Sequence, residues 1–288
     1  MQKPKILITG AGGQLAKSIA DIADHYPRFE FVYLTKTDMP LGDKAKVAAV
    51  FEAIKPQFCI NCAAYTAVDK AESNKEEAFL VNAEAVAELA KTCADRQAKL
   101  LHISTDYVFN GSSAVPYKES DPVDPINIYG ASKAKGEALC MAQNAETIII
   151  RTSWVYSGHG SNFVKTMMRL MKEKKELNIV NDQVGSPTYA TDLALAIMKI
   201  INSTHWQPGI YHYCNDGRIS WYDFALAIKA LTGSNCMLHP VPATAYPTPA
   251  KRPAYSLLDT SKIREKYGVS IPLWKDSLKK CIQNLQQA

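Results

Sequence analysis

The chain has 288 residues, 47% of them hydrophobic and 21% charged, with a formal net charge of +5. That balance excludes a disordered or fibrous protein, and the longest apolar runs, such as Thr147 to Ile150, are far too short to span a membrane. The basic residues never form a run of five, so the excess charge argues against nucleic acid and suits an anionic small ligand.

Met1-Gln2-Lys3-Pro4-Lys5 leads straight into Ile6-Leu7-Ile8, which is too short for a secretory signal and lacks a small-residue cleavage site. The expectation is a cytoplasmic protein that begins here. From that point strand and helix signals alternate. Lys5 to Thr9 is an apolar run ending at glycines, and Gln14 to Ala23 has helical spacing. Phe29 to Leu34 reads as a second strand, Lys44 to Ile54 as a helix stopped near Pro56, and Phe58 to Asn61 as a third strand. A long helix follows over Lys75 to Ala94, then a strand over Lys99 to Ser104, a helix over Tyr129 to Ala142 and a strand over Thr147 to Arg151. Apolar strands linked by helices predict an α/β doubly wound parallel sheet of Rossmann type. After Arg151 prolines and glycines break the rhythm, and helices are expected at Asn162 to Lys172, Thr191 to Ile201, Trp221 to Leu231 and Trp274 to Gln286. The expected division is a dinucleotide-binding domain over 1–153 with a return segment near 189–215, and a smaller C-terminal substrate domain over most of 154–288.

Seven cysteines, an odd number scattered from Cys59 to Cys281, point to reduced thiols rather than a disulfide framework. Cys59 and Cys62 form a C-x-x-C that can be a metal or redox pair. No second pair follows at zinc-site spacing, so a buried strand and its end is the better reading. The six histidines form no pair at ligand spacing, and no metal is assigned to the protein core.

Thr9-Gly10-Ala11-Gly12-Gly13-Gln14-Leu15-Ala16 joins the first strand to the first helix. Glycine lets the backbone turn tightly and approach a pyrophosphate, and the helix start offers free N–H groups to it. Gly10, Gly12, Gly13, Gln14 and Leu15 are therefore candidate cofactor contacts, with Ala16 in place of the third glycine. The second strand ends in Leu34-Thr35-Lys36-Thr37-Asp38, without the acidic residue that bonds the ribose of NADH. Lys36, with Thr35, can accept a 2′-phosphate, or can be a solvated loop lysine. Asp38 is a further candidate at the same edge, and NADPH is the favoured cofactor, with NADH as the alternative.

Tyr129-Gly130-Ala131-Ser132-Lys133 opens the helix after Pro125, and its i, i+4 spacing projects Tyr129 and Lys133 together. A carbonyl that takes hydride at carbon needs a proton at oxygen. A tyrosine hydroxyl can give it, and an ammonium nearby makes tyrosinate less costly. The fourth strand ends in Ser104-Thr105-Asp106-Tyr107, at the edge where doubly wound sheets bind ligands, so Ser104 or Thr105 can bond that oxygen. The glycine loop, the hydroxyl strand end and the Tyr/Lys helix, in that order, resemble the extended short-chain dehydrogenase/reductase superfamily. In that superfamily Thr105, Tyr129 and Lys133 would form the catalytic set.

A closer resemblance covers essentially the whole chain. Asn61 to Glu72, Ser104 to Phe109, Arg151 to Tyr156, Asn162-Phe163-Val164, Asp182 to Thr188 and Lys251-Arg252-Pro253 look like the signature segments of the dTDP-4-dehydrorhamnose reductase family. Departures are small: Cys62 where alanine is favoured, Ala16, and Asn110. The resemblance implies hydride delivery from NADPH or NADH to C4 of a 4-keto-6-deoxy sugar on deoxythymidine diphosphate. It also implies cofactor contacts at Ala63, Ala64, Tyr65, Tyr129 and Lys133, and substrate contacts at Thr66, Asp69, Tyr107, Trp154, Asn162 and Arg252. Trp154 offers a sugar a flat apolar face or packs in a core, and Arg252 forks onto a diphosphate or makes a surface ion pair. Asn162 bonds the base or caps the following helix, and Val68 to Glu72 can be only a helix start. A homodimer with magnesium held by interface glutamates is also implied, although Gln283, Gln286 and Gln287 prevail near the C-terminus. The rival functions are a nucleotide-sugar epimerase or dehydratase on the same scaffold, and a non-catalytic regulatory subunit.

Overall fold

The computed structural model describes residues 3–287; Met1, Gln2 and Ala288, the outermost residues of the two expected domains, lie outside the described residues. The first half alternates as expected: β1 (Lys5–Thr9), α1 (Gln14–Ile22), β2 (Glu30–Leu34), α2 (Lys44–Ile54) and β3 (Phe58–Asn61). Next come α3 (Val68–Ala71), α4 (Lys75–Phe79), α5 (Ala85–Asp95), β4 (Lys99–Thr105), α6 (Ile128–Gln143) and β5 (Ile148–Thr152). The second half contains β6 (Val155–Tyr156), α7 (Phe163–Glu173), β7 (Glu176–Val180), β8 (Val184–Gly185), β9 (Thr188–Tyr189) and α8 (Ala190–Ile201). It ends with β10 (Gly209–His212), β11 (Ile219–Ser220), α9 (Trp221–Thr232), β12 (Met237–Val241), α10 (Ser261–Tyr267) and α11 (Trp274–Gln287).

Six strands pair in parallel in the order β10-β5-β4-β3-β1-β2. Alternate residues of each strand feed opposite faces. Ile6, Ile8, Ile60, Ile148 and Ile150 pack with Leu15, Ile19, Leu193 and Ile197 of α1 and α8. Leu7, Cys59, Leu100 and Ile149 pack with Val47, Phe51, Val86, Leu89 and Cys140 of α2, α5 and α6. Burial on both faces explains why these strands read as continuous apolar runs. The order turns back between β1 and β3, so their carboxyl ends open the crevice where such sheets bind ligands. A separate core of Tyr156, Val164, Met167, Phe224, Trp274 and Leu278 joins α7, α9 and α11.

One expected element differs. The long helix over Lys75 to Ala94 is interrupted by a π-helical turn over Leu80–Glu84. The buried Asn82 side chain at its centre explains the extra residue. Its Oδ1 accepts the Tyr65 N–H at 2.8 Å, and its Nδ2 donates to the Tyr65 carbonyl at 3.0 Å and to Ser132 Oγ at 2.9 Å. The π turn lets one side chain clamp the loop after β3 to α6. All seven cysteines are free.

Candidate active site

A cleft of about 1050 Å³ opens at the carboxyl ends of β1 to β5. Of the residues expected there, Gly10, Gly12, Gly13, Gln14, Leu15, Lys36, Ala63, Ala64, Tyr65, Thr66, Thr105, Tyr107, Tyr129, Lys133 and Trp154 line it. Asp38, Asp69, Asn162 and Arg252 are not among its lining residues.

The glycine loop is shaped for a close ligand. Gly13 N–H donates to the Gly10 carbonyl at 2.8 Å, closing a tight turn. Gly10 has φ +66°, and a β-carbon on it would lie 2.8 Å from Ala63 N, so only glycine lets the loop approach β3. A β-carbon on Gly12 would meet open space. No side chain caps α1 at Gly13, so the N–H groups of its first turn are left for an anion. Gln14 is partly committed elsewhere: its Oε1 accepts from Asn162 Nδ2 at 2.9 Å and Ser157 Oγ at 3.0 Å. Asn162 also caps α7, accepting the Lys165 N–H at 3.1 Å, so its amide ties the chain together.

At the β2 edge Thr35 and Lys36 line the cleft. Asp38 turns back: its carboxylate accepts the Thr35 hydroxyl at 2.6 Å and the Thr35 N–H at 2.8 Å. These bonds, the hydroxyl's first, hold it below the usual carboxylate range.

Asn127 caps α6 by accepting the Gly130 N–H at 2.7 Å, which sets where Tyr129 and Lys133 emerge. A β-carbon on Gly130 would lie 2.1 Å from the Tyr107 carbonyl oxygen, so the helix start presses on the segment after β4. The Tyr107 and Tyr129 rings meet edge to face at 5.7 Å. Burial pushes the Tyr129 hydroxyl up to about 12, while a bond with Thr105 pulls the other way and Asp106 adds to the rise. Desolvation is the largest influence on this hydroxyl. The lysine ammonium is held on β4 instead, Nζ donating to the Ile103 carbonyl at 2.7 Å and lying 3.2 Å from His102 Nε2. Burial draws Lys133 down to about 8, against the opposing charge of Glu137 and Cys140.

Thr105 Oγ1 donates to Asp106 Oδ1 at 3.0 Å and accepts the Tyr107 N–H at 3.2 Å. Burial raises Asp106 to about 6, although Ser256 and Thr105 bond its carboxylate. Two buried polar atoms beside Thr105 have no protein partner, Ser104 Oγ and Asp106 Oδ2. Both residues line the cleft.

The far wall is aromatic. Trp154 stacks on Trp221 with ring centroids 3.6 Å apart, and its φ of +47° is unusual for so bulky a residue. A β-carbon on Gly185 would lie 3.0 Å from the Trp154 ring. Arg252 forks onto Asp69 at 2.7 and 3.1 Å and also donates to the Ala250 carbonyl at 3.2 Å. The arginine holds the Asp69 carboxyl below its usual range, so these two expected substrate contacts are paired to each other.

Sequence reasoning missed Asn82, His102, Asn61 and Trp221. The usable signal for His102 was a polar residue inside the apolar run Leu100-Leu101-His102-Ile103. Among the described residues no group of three or more His, Cys, Asp or Glu is placed to hold a metal, and no helix is long and apolar enough to cross a membrane. The magnesium expected at an interface thus gains no ligand set among them.

The family model described as "RmlD substrate binding domain" matches residues 4–287. A curated dTDP-4-dehydrorhamnose reductase of Aggregatibacter actinomycetemcomitans is 42% identical over 285 residues, covering 96% of this chain and 97% of that protein. The crystal structure of a dTDP-4-dehydrorhamnose reductase from Clostridium acetobutylicum superposes with a TM-score of 0.94 at 41% identity, covering 98% of this chain and 99% of that one. A crystal structure of dTDP-4-dehydrorhamnose reductase from Bacillus anthracis in complex with NADP superposes with a TM-score of 0.95 at 37% identity, covering 98% and 100%. The chain belongs to the dTDP-4-dehydrorhamnose reductase family.

Proposed function

We propose that this chain reduces the C4 keto group of dTDP-4-dehydro-L-rhamnose to give dTDP-L-rhamnose, with NADPH as the preferred reductant. The observation that carries this reading is one corner of the cleft. There the hydroxyls of Thr105 and Tyr129 lie together, beside two unpartnered polar atoms and on the same cleft as the uncapped start of α1. The relatives' names supply the substrate class.

The glycine loop, the free first turn of α1 and Lys36 fit a dinucleotide: tight turn, anion site and a cation near the adenosine ribose. A nicotinamide dinucleotide bound there would supply hydride to a carbonyl carbon. Tyr129, whose hydroxyl is protonated near neutrality, then gives its proton to the carbonyl oxygen. Thr105 steadies the same oxygen once its hydroxyl turns from Asp106. Lys133, anchored to Ile103, would bond the ribose of that dinucleotide. Trp154 and Tyr107 bracket the sugar, Thr66 lies beside it, and Arg252 meets the diphosphate by exchanging Asp69 for phosphate oxygens. The reading includes a homodimer in the cytoplasm.

A dehydratase fits less well, because Asp106-Tyr107 follows Thr105 where an Asp-Glu pair would aid loss of water. A panel of 4-keto sugar nucleotides with NADPH oxidation as readout tests the proposal. Fastest turnover with the dTDP-linked 6-deoxy-4-keto sugar supports it, and turnover of none of the panel sinks it.

A further inference from the structure

Lys133 Nζ is one end of a buried chain of polar groups that begins on the strand leading into the glycine loop. Thr9 Oγ1 donates to Asn61 Oδ1 at 2.6 Å, and the Ala63 N–H approaches the same Oδ1 at 3.2 Å. With its oxygen occupied, Asn61 turns Nδ2 to His102 Nδ1 at 3.0 Å. His102 Nε2 then faces Lys133 Nζ at 3.2 Å. Thr9, Asn61, His102 and Lys133 are each at most 2% exposed, so water does not compete for these bonds.

The orientation of the Asn61 amide, set by Thr9 and Ala63, selects a tautomer. An amide NH₂ can only donate, so His102 Nδ1 must accept. Burial and the neighbouring lysine hold the ring neutral, its proton affinity far below the ordinary histidine value. The one ring hydrogen of neutral His102 therefore sits on Nε2 and points at Nζ. An N–H cannot bond an ammonium, which has no lone pair, but it can bond a neutral amine.

We infer that His102, locked by Asn61 and Thr9, is a positioning residue for Lys133: its Nε2–H is the built-in donor for the lysine's amine form and lowers the cost of losing the lysine proton in a buried site. After Tyr129 has given its proton to the substrate oxygen, the Lys133 ammonium passes one proton to the tyrosinate. The Nζ lone pair that this leaves accepts the His102 Nε2–H, and solvent later returns a proton to the amine. The other charged or titratable groups acting on Nζ are Glu137 and Cys140 on its own helix, where Tyr129 stands one turn earlier; Glu137 is bound to Arg151 of β5 at 2.6 Å. Glu72 beyond α3 bonds the Ile128 N–H at the helix start, and Asp106 bonds Thr105, so neither supplies the partner Nζ has in His102.

The inference rests on the reductase reading for its proton step and its turnover readout; the two spectroscopic readouts need no substrate. The ring nitrogens of ¹⁵N-histidine-labelled protein report the tautomer directly. The expected result is a neutral His102 ring with Nε2 protonated and Nδ1 bare. A ring protonated at Nδ1 would overturn the inference. In His102→Gln the amide can turn its oxygen to the ammonium instead. The Lys133 midpoint, read from the ε-¹³C signal that Lys133→Arg removes, should then rise by about 1–2 pH units. The alkaline limb of kcat should move with it while KM for the sugar nucleotide holds. An unchanged or lowered midpoint in folded His102→Gln contradicts the proposal. If that variant does not fold, the tautomer in the unaltered protein still decides.

Discussion

The two walls of the cleft are held together in opposite ways. On the sheet side the polar groups are buried and tied to the protein before any ligand arrives: Thr9 to Asn61 to His102, Lys133 to the Ile103 carbonyl, and Asn82 across to Tyr65 and Ser132. On the C-terminal side an aromatic stack and an ion pair do the work, Trp154 on Trp221 and Arg252 on Asp69. The Asp69 and Arg252 side chains keep 40% and 25% of their surface exposed, so water and ligands can compete for them. The first wall suits chemistry, which requires groups fixed to within a fraction of an ångström. The second suits selection, because its contacts can be traded for a substrate's at modest cost.

The largest expected effect falls on the fixed wall. Tyr129→Phe removes the hydroxyl alone and should lower turnover by roughly 10²–10⁴-fold, with NADPH binding and thermal stability intact. NADPH oxidation under saturating keto sugar reads this, and near-normal turnover would strip Tyr129 of the donor role. On the exchangeable wall the effect should be on binding. Arg252→Ala should raise KM for the sugar nucleotide by about 10- to 100-fold and leave KM for NADPH alone. If instead NADPH binding weakens, Arg252 belongs with the cofactor, and the division between the walls fails.

At the β2 edge Lys36→Glu should move the ratio of kcat/KM for NADPH over NADH toward NADH by about 5- to 10-fold, the scale of one exposed charge contact of about 1 kcal/mol. An unchanged ratio places Lys36 away from the adenosine ribose. The smallest effect is in pH. Lys133 is a cation below about 8 and an amine above it. In the proposed mechanism ribose binding and return of a proton to Tyr129 both use the cation, so turnover should decline as pH rises through about 8. A rate flat to pH 10 would show that the lysine's charge does not matter to the reaction.

What the sequence made legible divides along the same line. The strands of the fixed wall carry unbroken apolar runs, and the glycine loop and Tyr129/Lys133 pair have local spacing, so both could be read without coordinates. The partners that hold them could not. His102, Asn61 and Thr9 stand on β4, β3 and β1, and only pairing of those strands puts them in a row. The π turn at Asn82 lay hidden in a helical pattern because one extra residue hardly disturbs the apolar spacing. On the other wall the residue types Trp154 and Arg252 could be proposed from the sequence as ligand contacts. Their pairing with Trp221 and Asp69 links positions 67 and 183 residues apart, a distance no local motif encodes.

One measurement bears most directly on the reading of this cleft as a reductase site. The protein is given excess dTDP-4-dehydro-L-rhamnose and limiting NADPH, and both nucleotides and the sugar product are counted at completion. The expected outcome is one dTDP-L-rhamnose formed for each NADPH oxidised, with reaction stopping when NADPH is spent. Conversion of the keto sugar that continues without net NADPH loss would identify an epimerase or dehydratase. Absence of any conversion would leave only a binding protein.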